Sequence, residues 1–331
     1  MSRLTGRGLR FWLMASAAFL LAAALFMPRL NIEYPSYDLL VVVDITGSMA
    51  VRDVTLAGKP ASRLDQAKWL VRQMAARLPC RSRIGLGIFT ERQPFLLIEP
   101  IELCDGFAPF DAAVAGLDRR MAWEGDSRIA SGLMRSIAMA HGMPADLVFI
   151  TDGQEAPPVR ADRPPVFDGV KGEVRGLLLG VGGAALSPIP KYDADGHEIG
   201  FYAMEDVPQE NREGPPPPGM EEREGYNPRN APYGAAQPEG TEHLSSLKED
   251  YLKDLAKLTG LAYARAGDPA MLMAAITANA RSHMEVTAED IRFIPAGMAL
   301  LTLLLIYMML PLFDRLSGHR RSRVSRQFTK G

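Results

Sequence analysis

Continuous apolar runs alternate with amphipathic stretches along the middle of the chain. The longest runs lack the polar alternation of a half-exposed strand, which predicts central strands buried on both faces. The predicted strands are 38–44, 83–90, 94–101, 146–153, 174–182 and 261–266. Helical spacing of apolar residues predicts helices at 62–78, 127–141, 244–260 and 269–283. This alternation indicates an α/β fold with a doubly wound, mostly parallel sheet that helices cover on both faces.

Local signals support three of these elements. Ser62 and Asp65 have the spacing of a capping box at the start of the first predicted helix. Gly260 follows the third helix as a stop signal. The polar residues 91–93 between two apolar runs predict a β-hairpin.

Two uncharged apolar segments, 11–27 and 294–313, flank this region. Each approaches the roughly 20 apolar residues that cross a bilayer core. Arginines precede the first segment and follow the second, which predicts cytoplasmic ends at 1–10 and in the basic tail 314–331. The part between the segments is then exported to the periplasm. The alternatives are a cleaved signal peptide for the first segment and a buried core helix for the second.

Composition narrows the class of protein. The 331 residues carry a net charge of -2 and are 47% hydrophobic, enough for one large core or two domains. No basic stretch is interleaved with aromatic residues in the way that follows a phosphate backbone, so we predict no nucleic-acid partner. Residues 203–242 contain PPPPG and EERE and few large apolar side chains, which predicts an exposed insertion without its own core.

The two cysteines, Cys80 and Cys104, flank the predicted hairpin at equal sequence separation from Arg92. They would face each other across the open end of the hairpin, and disulfides persist in exported segments. We predict a disulfide between them. Two unpaired thiols that act as small apolar side chains are the alternative.

Oxygen-bearing side chains follow the buried strands. Asp44 ends the first strand, and Thr46 and Ser48 follow it in a tight turn. Asp152 ends a second strand, and Ser127 begins a predicted helix. Ligands of an open parallel sheet bind beyond the carboxyl ends of its strands. An oxygen-only set without His or Cys favours a hard cation, Mg²⁺ first, with Ca²⁺ or Mn²⁺ as alternatives.

The succession DITGSM, GDSRIASGL and FITDG resembles the three-part metal-ion-dependent adhesion site of von Willebrand factor type A domains. The resemblance covers about residues 36–283 and implies a Rossmann-like fold. It also implies one divalent cation with the ligands Asp44, Thr46, Ser48, Ser127 and Asp152. Thr46 stands where the family usually has serine, and Ser127 where it has threonine. Both keep a hydroxyl, so these departures concern the affinity and selectivity for the metal.

Two alternative sites are weaker. DITGS also resembles the Asp-Lys-Thr-Gly-Thr turn of ATPases that form an aspartyl-phosphate, but Ile45 replaces the lysine and no acidic pair follows Asp152. We therefore predict no catalytic residues. The DADG sequence at 193–196 resembles part of a calcium loop but lacks its remaining ligands, so a hairpin turn is predicted there.

An apolar segment on each side of an exported A domain is similar to the layout of two groups of bacterial membrane proteins. One group, which includes the Bat aerotolerance proteins, is encoded with MoxR-type AAA ATPases. The other is the MxaL group of methanol dehydrogenase gene clusters, implicated in calcium insertion into that enzyme, and this chain resembles it more closely. The resemblance implies a non-enzymatic inner-membrane module that binds an acidic side chain of a periplasmic client. Methanol dehydrogenase, its assembly factors and a MoxR-type ATPase are the implied partners.

Overall fold

The computed structural model describes residues 2–122, 126–159, 164–193, 195–207, 218–219, 222 and 241–312. The chain divides into two compact units. Pro35–Met284 forms one unit, and Met1–Tyr34 together with Glu285–Gly331 forms the other. The predicted basic tail, 314–331, lies outside the described residues.

The helices and strands are as follows. The helices are α1 (Ser2–Phe26), α2 (Arg63–Ala75), α3 (Leu103–Ala115), α4 (Ile129–Gly142), α5 (Glu249–Thr259), α6 (Pro269–Asn279) and α7 (Phe293–Leu304). The first strands are β1 (Leu30–Asp44), β2 (Val54–Leu56), β3 (Lys59–Ala61), β4 (Arg83–Thr90), β5 (Gln93–Glu102) and β6 (Asp146–Thr151). The others are β7 (Gly176–Gly180), β8 (Ser187–Pro188), β9 (Pro190–Tyr192), β10 (Glu198–Phe201), β11 (Leu244–Ser245), β12 (Ala262–Arg265) and β13 (Ser282–Glu289).

The main sheet has the strand order β12-β7-β6-β1-β4-β5, and β13 also pairs with β1. Strands β12, β7, β6, β1 and β4 run parallel, and β5 is antiparallel to β4. This is the mixed, mostly parallel α/β sheet that the sequence predicts. The strand order reverses at β1, because the chain continues from β1 to β4 and β5 on one side of it and later adds β6, β7 and β12 on the other side. The carboxyl end of β1 is therefore the expected ligand-binding position.

Residues 39–44 of β1 are buried, as their apolar run predicts, whereas residues 30–35 of the same strand are mostly exposed. Leu39, Val41 and Val43 belong to one core cluster, which also contains apolar residues of α2, α3 and α6. Leu40 and Val42 belong to a second cluster, with residues of α4 and α5. Because alternate side chains of a strand point to opposite faces, helices must cover both sides of the sheet.

The local signals at both helix ends are confirmed. The Ser62 hydroxyl accepts a hydrogen bond from the Asp65 backbone N–H at 3.0 Å, and the Asp65 carboxylate accepts one from the Ser62 backbone N–H. Helix α2 begins directly after this capping box. Gly260 has φ of 88° and ends α5 in the left-handed conformation that glycine adopts without steric cost.

The predicted hairpin and disulfide are also confirmed. Strands β4 and β5 pair from Arg83 opposite Glu102 to Thr90 opposite Gln93. Cys80 and Cys104 form a disulfide with their Cα atoms 5.4 Å apart. The bridge lies at the amino end of β4 because Cys80 precedes that strand. The metal-ligand candidates lie at its other end.

Several predicted boundaries are wrong. Leu244 does not begin a helix: it belongs to β11, which pairs with β8, and α5 begins at Glu249. The last predicted helix ends at Asn279 instead of 283, and Ser282–Glu289 forms strand β13. Helix α3 and the small hairpin of β2 and β3 were not predicted from the sequence.

The predicted insertion, 203–242, falls mostly outside the described residues. Its first residues are packed: Val207 is only 5% exposed, and Asp206 forms an ion pair with the buried Lys191 at 3.1 Å. The segment that can be exposed throughout therefore begins no earlier than residue 208.

In the part of the chain that the structure describes, two helices are long and apolar enough to cross a membrane, by length and composition alone. They are Gly8–Phe26, with a mean hydropathy of 1.9, and Phe293–Leu312, with 2.2. The second continues α7 through a π-helical turn at Leu305–Met309. Only 17% of its apolar window is buried within the structure, which argues against the alternative of a buried core helix.

Candidate metal centre

The site is built around Asp44, the last residue of β1, whose side chain is fully buried. One carboxylate oxygen accepts a hydrogen bond from the Thr46 backbone N–H at 2.9 Å. The other accepts one from the Thr151 hydroxyl at 2.6 Å. Thr151 ends β6, the parallel neighbour of β1, so the next residue, Asp152, lies at the same edge of the sheet. The structure thus brings the first and third motifs together.

The pKa of Asp44 also reflects the proximity of Asp152. Burial and, after it, the negative charge of Asp152 raise the pKa of Asp44 from 3.8 to about 7, although hydrogen bonds from Thr151 and the Thr46 backbone lower it. Two buried carboxylates at one edge repel each other unless a positive charge lies between or beside them. A divalent cation would supply such a charge and favour the ionised form of Asp44.

Ser127, in the second motif, lies at the same edge but not on a helix. Its backbone N–H and C=O exchange hydrogen bonds with Ala156, both at 2.8 Å. The backbone N–H of Arg128 donates to the C=O of Glu91 at 2.6 Å. Helix α4 begins only at Ile129, so the prediction that Ser127 starts this helix is wrong by two residues. These contacts instead hold Ser127 between the loops that follow β4 and β6.

The three predicted hydroxyl ligands share one property that tests whether a metal fits. Among the described residues, the hydroxyl oxygens of Thr46, Ser48 and Ser127 are buried and have no hydrogen-bond partner. An unpaired buried hydroxyl costs about 1–3 kcal/mol, and a bound cation would offset this cost. The hydroxyls of Ser36 and Thr90, outside the motifs, are also unpaired within the described part of the chain, so it is the presence of Asp44 and Asp152 at the same edge that favours a metal here. Hydroxyl and carboxylate oxygens are ligands that Mg²⁺ accepts. The donor set therefore fits the cation that the sequence predicts.

Asp152 is held by three neighbours. One of its carboxylate oxygens accepts a hydrogen bond from the Gln154 backbone N–H at 2.9 Å. The other accepts hydrogen bonds from the Arg63 guanidinium and from the Ser245 hydroxyl. Both Asp152 and Arg63 are completely buried. Asp152 is therefore fixed in orientation, and it lies in a direct ion pair with the positively charged Arg63.

The residues that support Asp152 were not predicted from the sequence. Arg63 also binds Asp53 through two nitrogen atoms, and Asp53 accepts a further hydrogen bond from the Gly183 backbone N–H. An arginine at the first position of a helix normally predicts a solvent-exposed side chain. Because its partners lie far away in the sequence, no local signal identifies it.

The structure gives little support to the two alternative sites. Ile45, which replaces the lysine of the phosphoryl-transfer motif, is fully buried within the apolar core. Asp193 and Gly196 lie at the predicted turn between β9 and β10, where the Gly196 backbone N–H donates to the Asp193 C=O at 3.1 Å. Ligand atoms of Asp193, Asp195 and His197 in this turn lie within 4.8 Å of one another, so they form a small acidic cluster that could hold a cation.

An apolar groove of about 470 Å³ lies near the metal-ligand candidates. Its wall includes Arg128, the residue after Ser127, and Glu155, three residues after Asp152. Burial raises the pKa of Glu155, although hydrogen bonds from Tyr251 and the Ala130 backbone oppose this change. Val159 and Val166 provide exposed apolar surface in the same groove.

Residues 39–154 match the model of the family described as the von Willebrand factor type A domain. Together with the mixed, mostly parallel α/β sheet, this match identifies a von Willebrand factor type A domain within the chain. The match includes all three predicted metal-binding motifs. No curated protein matches the chain.

Several solved structures match the chain at low sequence identity. An aerotolerance-related membrane protein from Bacteroides fragilis NCTC 9343, with multiple mutations to serines, is 16% identical and has a TM-score of 0.46, over 73% of this chain and 98% of that one. The conserved hypothetical protein BatB from Bacteroides thetaiotaomicron is 16% identical with a TM-score of 0.43, over 72% and 95%. An uncharacterized membrane spanning protein from Vibrio fischeri is 17% identical with a TM-score of 0.28, over 70% and 92%. Similarities this distant carry no functional argument.

Proposed function

We propose that this protein is a membrane-anchored, non-enzymatic binding module whose metal ion holds an acidic side chain of a periplasmic client. Asp44 and Asp152 hold a divalent cation, directly or through water, and Thr46, Ser48 and Ser127 supply hydroxyl oxygens. Mg²⁺ is the first candidate, with Ca²⁺ and Mn²⁺ as alternatives. When bound, the ion supplies a positive charge that a carboxylate of the client can approach.

The observation that carries this proposal is that, in the described structure, the Thr46, Ser48 and Ser127 hydroxyls are buried without hydrogen-bond partners at the edge of the sheet where Asp44 ends β1. Thr46 and Ser48 belong to the first predicted metal-binding motif, and Ser127 belongs to the second. The groove near Arg128 and Glu155 would contact client residues next to the acidic one, because it is mostly apolar and its wall includes Arg128, the residue after Ser127. The two apolar helices support attachment to a membrane, and the flanking arginines support a periplasmic position for the A domain.

Replacement of Asp44 tests the metal centre. We expect Asp44→Asn, which keeps the size of the side chain, and Asp44→Ala to abolish Mg²⁺ binding to the full-length protein in detergent, measured by calorimetry. Pull-down of periplasmic proteins with and without chelator should lose its metal-dependent component in both variants. Asp111→Asn is the matched control, because Asp111 forms an exposed ion pair with Arg72 away from the site. Undiminished Mg²⁺ binding by the Asp44 variants would contradict the proposal.

Two finer roles remain hypotheses that rest on the layout of the chain. One is maturation of methanol dehydrogenase, including calcium insertion, and the other is a Bat-type role with a MoxR-type ATPase. The neighbouring genes distinguish them: methanol dehydrogenase subunits favour the first role, and stress-response genes favour the second. Phosphatase activity of the purified protein would instead favour the aspartyl-phosphate alternative.

A further inference from the structure

Arg63 is a fully buried arginine whose hydrogen-bonding capacity is completely used. Its Nε donates to Asp53 at 3.0 Å, and one terminal nitrogen donates to Asp53 at 2.6 Å and to the Ser245 backbone C=O at 3.1 Å. The other terminal nitrogen donates to Asp152 and to the Ser245 hydroxyl. A guanidinium has five N–H groups, and each has an acceptor here. The position of the positive charge is therefore fixed.

The backbone around Arg63 leaves room for this position. Gly182 has φ of 112°, and a Cβ atom added to it would lie 2.5 Å from the Arg63 Nε. A side chain at 182 would therefore displace the guanidinium as well as strain the backbone. The pocket for Arg63 is formed by residues that come from four separate parts of the chain.

The charge of Arg63 changes what Asp152 can offer a cation. Asp152 and Asp44 alone would bring two negative charges to the edge of the sheet, enough to neutralise a divalent ion. Arg63 cancels part of the Asp152 charge through one terminal nitrogen, while Asp53, its second partner, binds Nε and the other terminal nitrogen. A bound ion would then keep net positive charge toward an approaching anion.

We infer that Arg63 is a positioning residue that lowers the intrinsic affinity of the centre for its metal and so keeps the ion attractive to a carboxylate of the client. It acts through Asp152, by orienting this carboxylate and by partly neutralising it. The inference rests on the proposed function, because it presupposes a metal at this centre. The inference deepens that function by identifying Arg63 as the residue that leaves positive charge on the metal for an acidic side chain of the client.

A purely structural role for Arg63 makes a different prediction. Removing either partner of a buried ion pair is strongly destabilising, so Arg63→Gln and Asp53→Asn should both lower thermal stability. If loss of order at the site were the whole effect, both substitutions would also weaken metal binding. The electrostatic role requires opposite changes, because one substitution removes a positive charge and the other removes a negative charge.

The experiment measures binding of Mg²⁺ alone, by calorimetry, to the full-length protein in detergent. We expect Arg63→Gln to tighten Mg²⁺ binding by roughly three- to tenfold and Asp53→Asn to weaken it by a similar factor, the scale of one screened unit charge. Arg72→Gln is the matched control. It removes an arginine of the same helix, and because the ion pair of Arg72 with Asp111 is exposed, Mg²⁺ affinity should stay unchanged.

If Arg63→Gln does not fold, the comparison of Asp53→Asn with the double variant Arg63→Gln/Asp53→Asn replaces it. The double variant should bind Mg²⁺ more tightly than Asp53→Asn. Unchanged or weaker binding on removal of the Arg63 charge would overturn the inference while leaving the metal centre in place. Absence of Mg²⁺ binding by the wild-type protein would overturn the proposed function, and this inference with it.

Discussion

At the scale of single residues, the buried hydroxyls of Ser48 and Ser127 provide the most direct test of the metal centre. Ser48 lies in the short 3₁₀ helix that follows β1, and Ser127 lies in the segment that precedes α4. Neither hydroxyl has a hydrogen-bond partner among the described residues. Burial without a partner opposes folding, whereas coordination of a cation would turn the same oxygen into a useful ligand. Removal of such a hydroxyl should therefore affect metal binding and stability in different ways.

We expect Ser48→Ala and Ser127→Ala to weaken Mg²⁺ binding by about tenfold, because each removes one ligand and a lost interaction of about 1.4 kcal/mol is a tenfold change. Stability in chelator should stay within about 0.5 kcal/mol of wild type or rise, since no hydrogen bond is lost. Calorimetry and thermal denaturation check the two effects.

Ser136→Ala is the control for these variants. Ser136 is also buried, but its hydroxyl donates to the Gly132 backbone C=O at 2.8 Å, within α4. Its replacement should leave Mg²⁺ affinity unchanged. If Ser127→Ala bound Mg²⁺ as tightly as Ser136→Ala does, Ser127 would not be a ligand.

At the scale of elements, the hairpin of β4 and β5 is closed at one end by the disulfide and lies at its other end beside the metal centre. The disulfide of Cys80 and Cys104 spans a sequence separation of 24 residues. A bridge that closes a loop of this size stabilises the fold by about 3 kcal/mol. Its contribution should be independent of the metal, because the two features lie at opposite ends of β4.

The paired substitution Cys80→Ser/Cys104→Ser should therefore lower the free energy of unfolding by about 2–5 kcal/mol and leave Mg²⁺ affinity unchanged. Denaturant titration of the wild-type protein, with and without reductant, provides the same comparison without mutation. A large loss of Mg²⁺ affinity in the reduced protein would show that the two ends of the hairpin are coupled.

Elements were predictable to different degrees. The central strands were predicted because their burial on both faces requires continuous apolar runs such as LLVVV. Strand β13 was missed because its sequence, SHMEVTAE, contains mostly polar or small residues. The two-residue strands β8 and β11 pair across more than 50 residues of sequence, and a pairing over such a distance leaves no local pattern.

At the scale of the whole molecule, a long polar segment separates β10 from β11 in the sequence of the A domain. Residues 208–240 contain PPPPG and EERE, and their composition cannot support a core. Deletion of 208–240 should leave the melting temperature of the protein nearly unchanged.

The longer deletion, 203–242, is the matched comparison. It removes the buried Val207 and the Asp206 that pairs with Lys191, which leaves a buried ammonium without its acid. We expect this deletion to lower the melting temperature by several degrees more than the shorter one does. Equal melting temperatures for both deletions would show that 203–207 contribute nothing to the packed domain.

The sequence by itself determined six of the seven strands of the main sheet, the capping box, the disulfide and the order of the three metal-binding motifs. These features depend on patterns within a few residues or on cysteine spacing, and such patterns are visible along the chain. Only the tertiary structure decided that Arg63, Asp53 and Ser245 support Asp152, because these residues are distant in sequence and become neighbours only through the fold. A buried charge requires ion-pair and hydrogen-bond partners. The sequence identifies the charged residue, but it does not show which distant residues become its partners.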